Sequence, residues 1–143
     1  TPTEQKMLPD PGKQVLESTG ATAVSVEDFE SNLKQSGIDI RMVLINPGWF
    51  EKTIPKFIEI MDWLDDININ SNIEISILRL DGDLYNSTWV CLQYLFPKVI
   101  TGGCVIIDDW TLPGCQAACK EYFEMIGYEP DYKYLDGTAY FFK

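Results

Sequence analysis

Two acidic pairs carry the chemistry this sequence could do. Asp81 and Asp83 stand two apart in Leu80-Asp81-Gly82-Asp83-Leu84, straight after an apolar run from Ile73 to Leu80. Asp108 and Asp109 close a second apolar run, Cys104 to Ile107. Each run reads as a strand, and a helical pattern follows each. In an open parallel sheet, such strand ends share the edge where ligands bind. If the two strands are neighbours, about 4.8 Å apart, three or four carboxylates converge on one small space. Clustered carboxylates repel one another unless protons or a cation occupy that space. An all-oxygen donor set suits a hard ion such as Mg²⁺. Either pair alone is ordinary chemistry, since Asp-Gly-Asp makes turns and Asp after a strand caps helices. The recurrence at two successive strand ends is what points to a metal.

The bulk composition narrows the partners. A net charge of −11 argues against a nucleic-acid backbone or an anionic membrane surface. No apolar run approaches the ~20 residues of a membrane span, and no signal-peptide pattern is visible. A chain of 143 residues suits one domain. There is no histidine, so the commonest general base is missing. Proton transfer falls to carboxylate, Lys, Tyr or Cys. The cysteines are Cys91, Cys104, Cys115 and Cys119, with no Cys-x-x-Cys, so zinc is not expected. Cys115 and Cys119, four apart on one helix, read as packing residues. Free thiols fit a reducing, cytoplasmic setting.

The elements that must position the acidic pairs follow from pattern. Residues 1–22 are rich in Pro, Gly, Thr and Glu and read as a mobile loop or linker. Ser25 with Asp28 resembles a capping box for a helix with Val26, Phe29 and Leu33 on its apolar stripe and Gly37 at its end. Arg41 to Ile45 reads as a short buried strand. Pro55 suits the first turn of a helix with Phe57, Met61 and Leu64 inside. The strand Ile73–Leu80 leads to a helix capped by Asn86 or Ser87, with Trp89, Leu92 and Phe96 inward and Pro97 as its stop. Thr101-Gly102-Gly103 turns into the strand Cys104–Ile107. A helix over 115–126 packs by Cys115, Cys119, Tyr122 and Ile126, and Gly127 closes it. Tyr128 to Leu135 and Thr138 to Phe142 form a hairpin about Asp136-Gly137. Alternating strands and helices with a terminal antiparallel pair describe an α/β layered sheet.

Taken together, Leu80-Asp81-Gly82-Asp83-Leu84-Tyr85-Asn86-Ser87-Thr88, Gly102-Gly103-Cys104-Val105-Ile106-Ile107-Asp108-Asp109, Pro113-Gly114-Cys115 and Ala139-Tyr140-Phe141-Phe142 resemble the macrocin O-methyltransferase (TylF-like) family. The resemblance runs from about Val24 to the end. It implies a Rossmann-like class I methyltransferase sheet, incomplete because the family's first strands and Gly-rich turn have no counterpart here. Residues 23–143 then correspond to the C-terminal part of a methyltransferase domain, and the chain, opening Thr1-Pro2-Thr3 without an initiator Met, reads as part of something longer.

The resemblance also implies an activity. It is Mg²⁺-assisted transfer of a methyl group from S-adenosylmethionine to a hydroxyl of a sugar or similar natural-product acceptor. Asp81, Asp108 and Asp109 match the family's metal ligands and Asp83 its general base. Gly48 lies where the family passes close to the cofactor. Trp110 is a candidate for the substrate cleft, and Ser87 and Thr88 are expected to cap a helix. A chain lacking the first strands is not expected to act alone, and a bare sheet edge invites self-association, hence a possible homo-oligomer. The alternative is a non-catalytic α/β module whose acidic edge binds a cation or a partner.

Overall fold

A computed structural model describes residues 24–69 and 72–143; the expected linker over 1–22 lies outside them. In chain order the elements are α1 (Val26–Gln35), a 3₁₀ turn (Ile40–Met42), α2 (Phe50–Asp66), β1 (Ile75–Leu80), α3 (Tyr85–Leu95), a second 3₁₀ turn (Phe96–Lys98), β2 (Val99–Ile107), α4 (Pro113–Ile126), β3 (Lys133–Leu135) and β4 (Thr138–Phe142). The four strands form one sheet in the order β1-β2-β4-β3. β1 and β2 are parallel neighbours, while β4 runs antiparallel to both β2 and β3.

Alternation along the strands decides where the core lies. Leu78 and Leu80 of β1, Val105 and Ile107 of β2, and Ala139 and Phe141 of β4 point to one face and are buried. Against them pack Leu92 and Phe96 at the end of α3, and Cys115, Cys119, Tyr122 and Phe123 of α4. Phe141 is fully buried. Its ring centroid lies 5.5 Å from both Phe123 and Tyr132 and 6.1 Å from Tyr128. Such edge and tilted ring contacts add to area burial.

Local signals explain several boundaries. Ser25 caps α1: its hydroxyl accepts from the Asp28 N–H at 3.0 Å and donates to the Asp28 carboxylate at 2.7 Å. Gly127 closes α4 in the left-handed region, φ 65°. Asp136 and Gly137, at φ 47° and 88°, make the tight β3–β4 turn that two positive-φ residues allow. Lys143 ties the far end of the sheet: its ammonium donates to the carbonyls of Phe96 and Val99 at 3.0 and 2.8 Å.

Other expectations are corrected. Arg41 to Ile45 is not a strand. It holds part of a 3₁₀ turn, with Met42 84% and Leu44 75% exposed, because among the described residues no neighbouring strand accepts its backbone groups. α2 starts at Phe50, so Pro55 sits inside the helix rather than in its first turn. The Trp49 carbonyl accepts from the N–H groups of Lys52 and Thr53 and starts the helix early. Phe57, Met61 and Leu64 are half-buried, and Ile58 is the buried residue of α2. The stripe of α1 buries nothing. Neither Asn86 nor Ser87 caps α3, nor does Thr88. The chain turns at Asp83, α3 begins at Tyr85, and Ser87 and Thr88 are buried inside it. β2 starts at Val99, with an irregularity between the pairs Ile75–Val99 and Ile77–Cys104 that absorbs the Gly102-Gly103 turn. Ile126 is 43% exposed, its expected inward place taken by Phe123. The first hairpin strand shortens to Lys133–Leu135, because Tyr128 and Tyr132 turn their rings into the core beside Pro130.

Phe141→Ala is expected to cost about 3–5 kcal/mol of stability, read as a lower denaturant midpoint with an unchanged slope. A loss below about 1 kcal/mol would contradict the placement of the core.

Candidate functional site

The site is built at the top of the β1–β2 pair. Leu80 pairs with Ile107 in parallel register, and the Asp108 N–H continues the ladder by donating to the Leu80 carbonyl at 2.9 Å. That register sets Asp81 level with the Asp108–Asp109 step. After Gly82 the chain reverses in a three-residue turn, the Leu84 N–H reaching the Gly82 carbonyl at 2.5 Å. Asp83 stands at the centre of this turn with φ 55°, a conformation that costs a non-glycine residue of order 1–3 kcal/mol. Its N–H donates to the Asp109 carboxylate at 3.1 Å.

Asp81, Asp83 and Asp109 each offer a carboxylate oxygen within 4.8 Å of the others. Asp81 and Asp83 are exposed and Asp109 is half-buried. Burial, foremost, and the neighbouring Asp83 and Asp108 charges hold the Asp109 carboxyl above its ordinary range, against the backbone hydrogen bond from Asp83, which pulls it down. Asp108 lies outside this trio. Its carboxylate takes a hydrogen bond from the Arg79 guanidinium at 2.6 Å, and the same nitrogen lies 3.0 Å from Asp81. Arg79 is not among the residues that the acidic motifs single out. The signal was available: two residues before Asp81 on a strand, it must share that residue's face.

The loop that bears Asp109 is held by its own bonds. Leu112 N–H donates to the Asp109 carbonyl at 2.9 Å, and the Gln116 amide to the Trp110 carbonyl at 2.6 Å. Opposite it, Gly48, Trp49 and Phe50 join Asp81, Gly82 and Asp83 around a cavity of about 300 Å³. Gly48 has φ 133°, and a β-carbon there would come within 2.8 Å of Thr53, so a side chain is disfavoured twice. Trp110 does not line this cavity. Its ring lies 4.7 Å from Tyr132 and 5.9 Å from Tyr134, over a separate groove beside α4. Cys115 and Cys119 are buried in α4 beneath the site, and the Thr88 hydroxyl donates to the Cys115 sulfur at 3.5 Å.

With this geometry in place, the comparisons with known proteins decide the family. The model described as macrocin-O-methyltransferase (TylF) matches residues 1–143. The chain belongs to the TylF family. It is 32% identical over 127 residues to the 8-demethyl-8-(2,3-dimethoxy-alpha-L-rhamnosyl)-tetracenomycin-C 4′-O-methyltransferase of Streptomyces olivaceus, covering 89% of this chain and 44% of that protein. It is 38% identical over 102 residues to the demethyldecarbamoylnovobiocin O-methyltransferase of Streptomyces niveus, covering 70% of this chain and 34% of that one. The solved O-methyltransferase NovP superposes with a TM-score of 0.77 at 30% identity, over 99% of this chain and 54% of its own. The TylF chain therefore spans less than half the length of these two curated relatives. Among its described residues, no helix is long and apolar enough to cross a membrane.

Removing the Asp109 charge tests the strain at the site. The Asp109 carboxyl titrates above its unfolded value near 4, so the folded state holds the proton more tightly. Stability therefore falls as pH rises from about 4 through the folded pKa. Asp109→Asn, which keeps the acceptor for the Asp83 N–H, is expected to raise the metal-free melting temperature at pH 7 and to leave it unchanged below pH 4. An equal shift at both pH values would contradict this account.

Proposed function

We propose that this chain carries the metal- and base-bearing part of an O-methyltransferase site. The reaction is methyl transfer from S-adenosylmethionine to a hydroxyl of a sugar or similar natural-product acceptor. The observation that supports it most directly is the convergence of Asp81, Asp83 and Asp109 within 4.8 Å at one sheet edge, in a chain whose curated relatives are named O-methyltransferases, one of them of a rhamnosyl-tetracenomycin.

The residues fit a hard divalent ion. The donor set is all carboxylate oxygen, and the Asp109 carboxyl, raised by burial first and by the neighbouring carboxylates second, is one whose charge a cation would stabilise. In this reading Asp81 and Asp109 are ligands as they stand. Asp108 is the third, once it exchanges Arg79 for the ion. A bound Mg²⁺ would lower the pKa of an acceptor hydroxyl. Asp83 is the base: its carboxylate lies beside the ligands, and with no histidine in the chain it takes the hydroxyl proton. Gly48 leaves the cavity wall bare where the methyl donor approaches, and holding donor and acceptor in line supplies much of the rate.

The two roles separate in a titration of Mg²⁺ into the chain followed by calorimetry. Asp81→Asn and Asp109→Asn are expected to weaken binding tenfold or more. Asp83→Asn is expected to keep it within about threefold, while abolishing methyl transfer where the complete site is assembled. If Asp83→Asn weakens binding as much as Asp109→Asn, Asp83 is a ligand and not the base. Arg79→Gln frees Asp108 and removes a positive charge, so it is expected to tighten Mg²⁺ binding several-fold. Weaker binding in that variant would contradict the role given to Asp108.

A further inference from the structure

The three carboxylates of the site ride on two loops. Asp81 and Asp83 belong to the turn from β1 into α3, and Asp109 to the loop from β2 into α4. The ladder bond below them, from the Asp108 N–H to the Leu80 carbonyl, fixes the strands. Above it the loops leave the sheet, and the separation of Asp83 from Asp109 depends on how the two following helices are joined. Metal-ligand distances hold within about 0.2 Å, so that joint bears directly on the site. Tyr85 makes it. It is the first residue of α3, two after Asp83. Its hydroxyl donates to the Glu121 carboxylate of α4 at 2.6 Å, across 36 residues of sequence. Its ring stacks on Trp89, with centroids 5.9 Å apart and planes 12° from parallel, and Trp89 meets Tyr122 of α4 edge-on at 5.8 Å. Its backbone lies against Gly114: a β-carbon there would come within 3.3 Å of the Tyr85 nitrogen and 3.6 Å of its β-carbon. Burial, foremost, and Glu121 push the Tyr85 hydroxyl up to about 12. It therefore keeps its proton at neutral pH and donates to a charged acceptor, the stronger kind of hydrogen bond. Glu121 is exposed, and exposed contacts change stability little when removed. What the bond controls is position.

We propose that Tyr85, with Glu121 as its anchor and Gly114 as its seat, is a positioning residue for the acidic cluster. It fixes the start of α3 against α4 and so holds Asp83 at hydrogen-bonding distance from Asp109. The action is mechanical. Asp83 sits at φ 55°, a conformation that persists only while its surroundings hold it. β1 holds one end of the turn through the pairing of Leu80 with Ile107. Tyr85 holds the other. Without its bond to Glu121, the first turn of α3 can slide on α4 and the strained turn relaxes. The Asp83 N–H then leaves the Asp109 carboxylate, and the trio opens. The consequence for a bound ion rests on the metal reading given above. The consequence for the Asp83–Asp109 hydrogen bond does not, and it is read without metal.

The test follows the whole chain in two ways: hydrogen exchange of the Asp83 amide by NMR in the absence of metal, and calorimetric titration with Mg²⁺. Tyr85→Phe keeps the ring and loses the hydroxyl. It is expected to speed exchange at Asp83 several-fold and to weaken Mg²⁺ binding several-fold, while circular dichroism and the melting temperature change little. Glu121→Ala is expected to match it. The double variant is expected to be no worse than either single, since both remove one interaction. Glu121→Gln retains an acceptor oxygen and is expected to keep both readouts within about twofold of the unaltered chain. Lys98→Met is the control. It breaks a 2.7 Å ion pair with Asp62 at the opposite end of β2 and is expected to move neither readout. Where the unaltered chain binds Mg²⁺, either readout unmoved in Tyr85→Phe overturns the proposal, whatever the melting temperature does. So does a double variant whose effects add, or the same change in Lys98→Met. Where the unaltered chain binds no Mg²⁺, the metal reading falls, and exchange at Asp83 alone decides the role of Tyr85.

Discussion

The site depends on one pairing, the parallel register that sets Leu80 against Ile107. A slip of one residue would turn every side chain of β1 to the other face. Leu78 and Leu80 would leave the core, and Asp81 would move away from the Asp108–Asp109 step. The apolar residues thus hold the acidic ones in place: burial of Leu78, Leu80, Val105 and Ile107 fixes where the carboxylates meet. Their mutual repulsion is partly offset on the spot. Arg79 takes Asp108 and Asp81, and the Asp83 N–H takes Asp109. The strained turn at Asp83 belongs to the same arrangement, since a relaxed turn would not aim that N–H at Asp109.

What could be read from the sequence was what local pattern dictates. Asp136-Gly137 has two positive φ angles to fill, and Gly127 one, so their turn and cap were visible from residue type. The apolar runs ending at Leu80 and Ile107 identified both strands and the edge their acids share. What escaped depended on partners distant in sequence. Arg41 to Ile45 has strand-like composition but, among the described residues, no strand to pair with. Ser87 looks like a helix cap, yet it is buried because Gly82 packs against it, with a β-carbon on Gly82 reaching it at 3.0 Å. Ile126 continues the α4 stripe by spacing, but Phe123 and Tyr122 already fill the space against Phe96. At the site, the acidic residues were legible as a set, whereas Arg79's hold on Asp108 emerged only with the fold.

One sheet positions the whole acidic edge. Helices on one side close the core under the acidic edge, and the TylF family supplies the setting in which that edge makes sense. The chain's lack of histidine sharpens the reading, because it leaves carboxylates as the nearest groups able to take a proton. Buried Cys115 and Cys119 add packing beneath the cluster rather than ligands to it. Trp110, placed by sequence next to Asp109, turns its ring away to Tyr132 and helps anchor the β3 side of the fold.

The most direct measurement of the central claim is the paramagnetic broadening of amide resonances as Mn²⁺ is titrated into the isotope-labelled chain. Mn²⁺ accepts the same oxygen ligands as Mg²⁺. The account predicts that the amides of residues 81–83 and 108–110 vanish first and together, at a substoichiometric dose. Broadening that begins elsewhere, at the Asp62 or Glu124 surfaces, or that leaves 81–83 and 109 sharp, would contradict it.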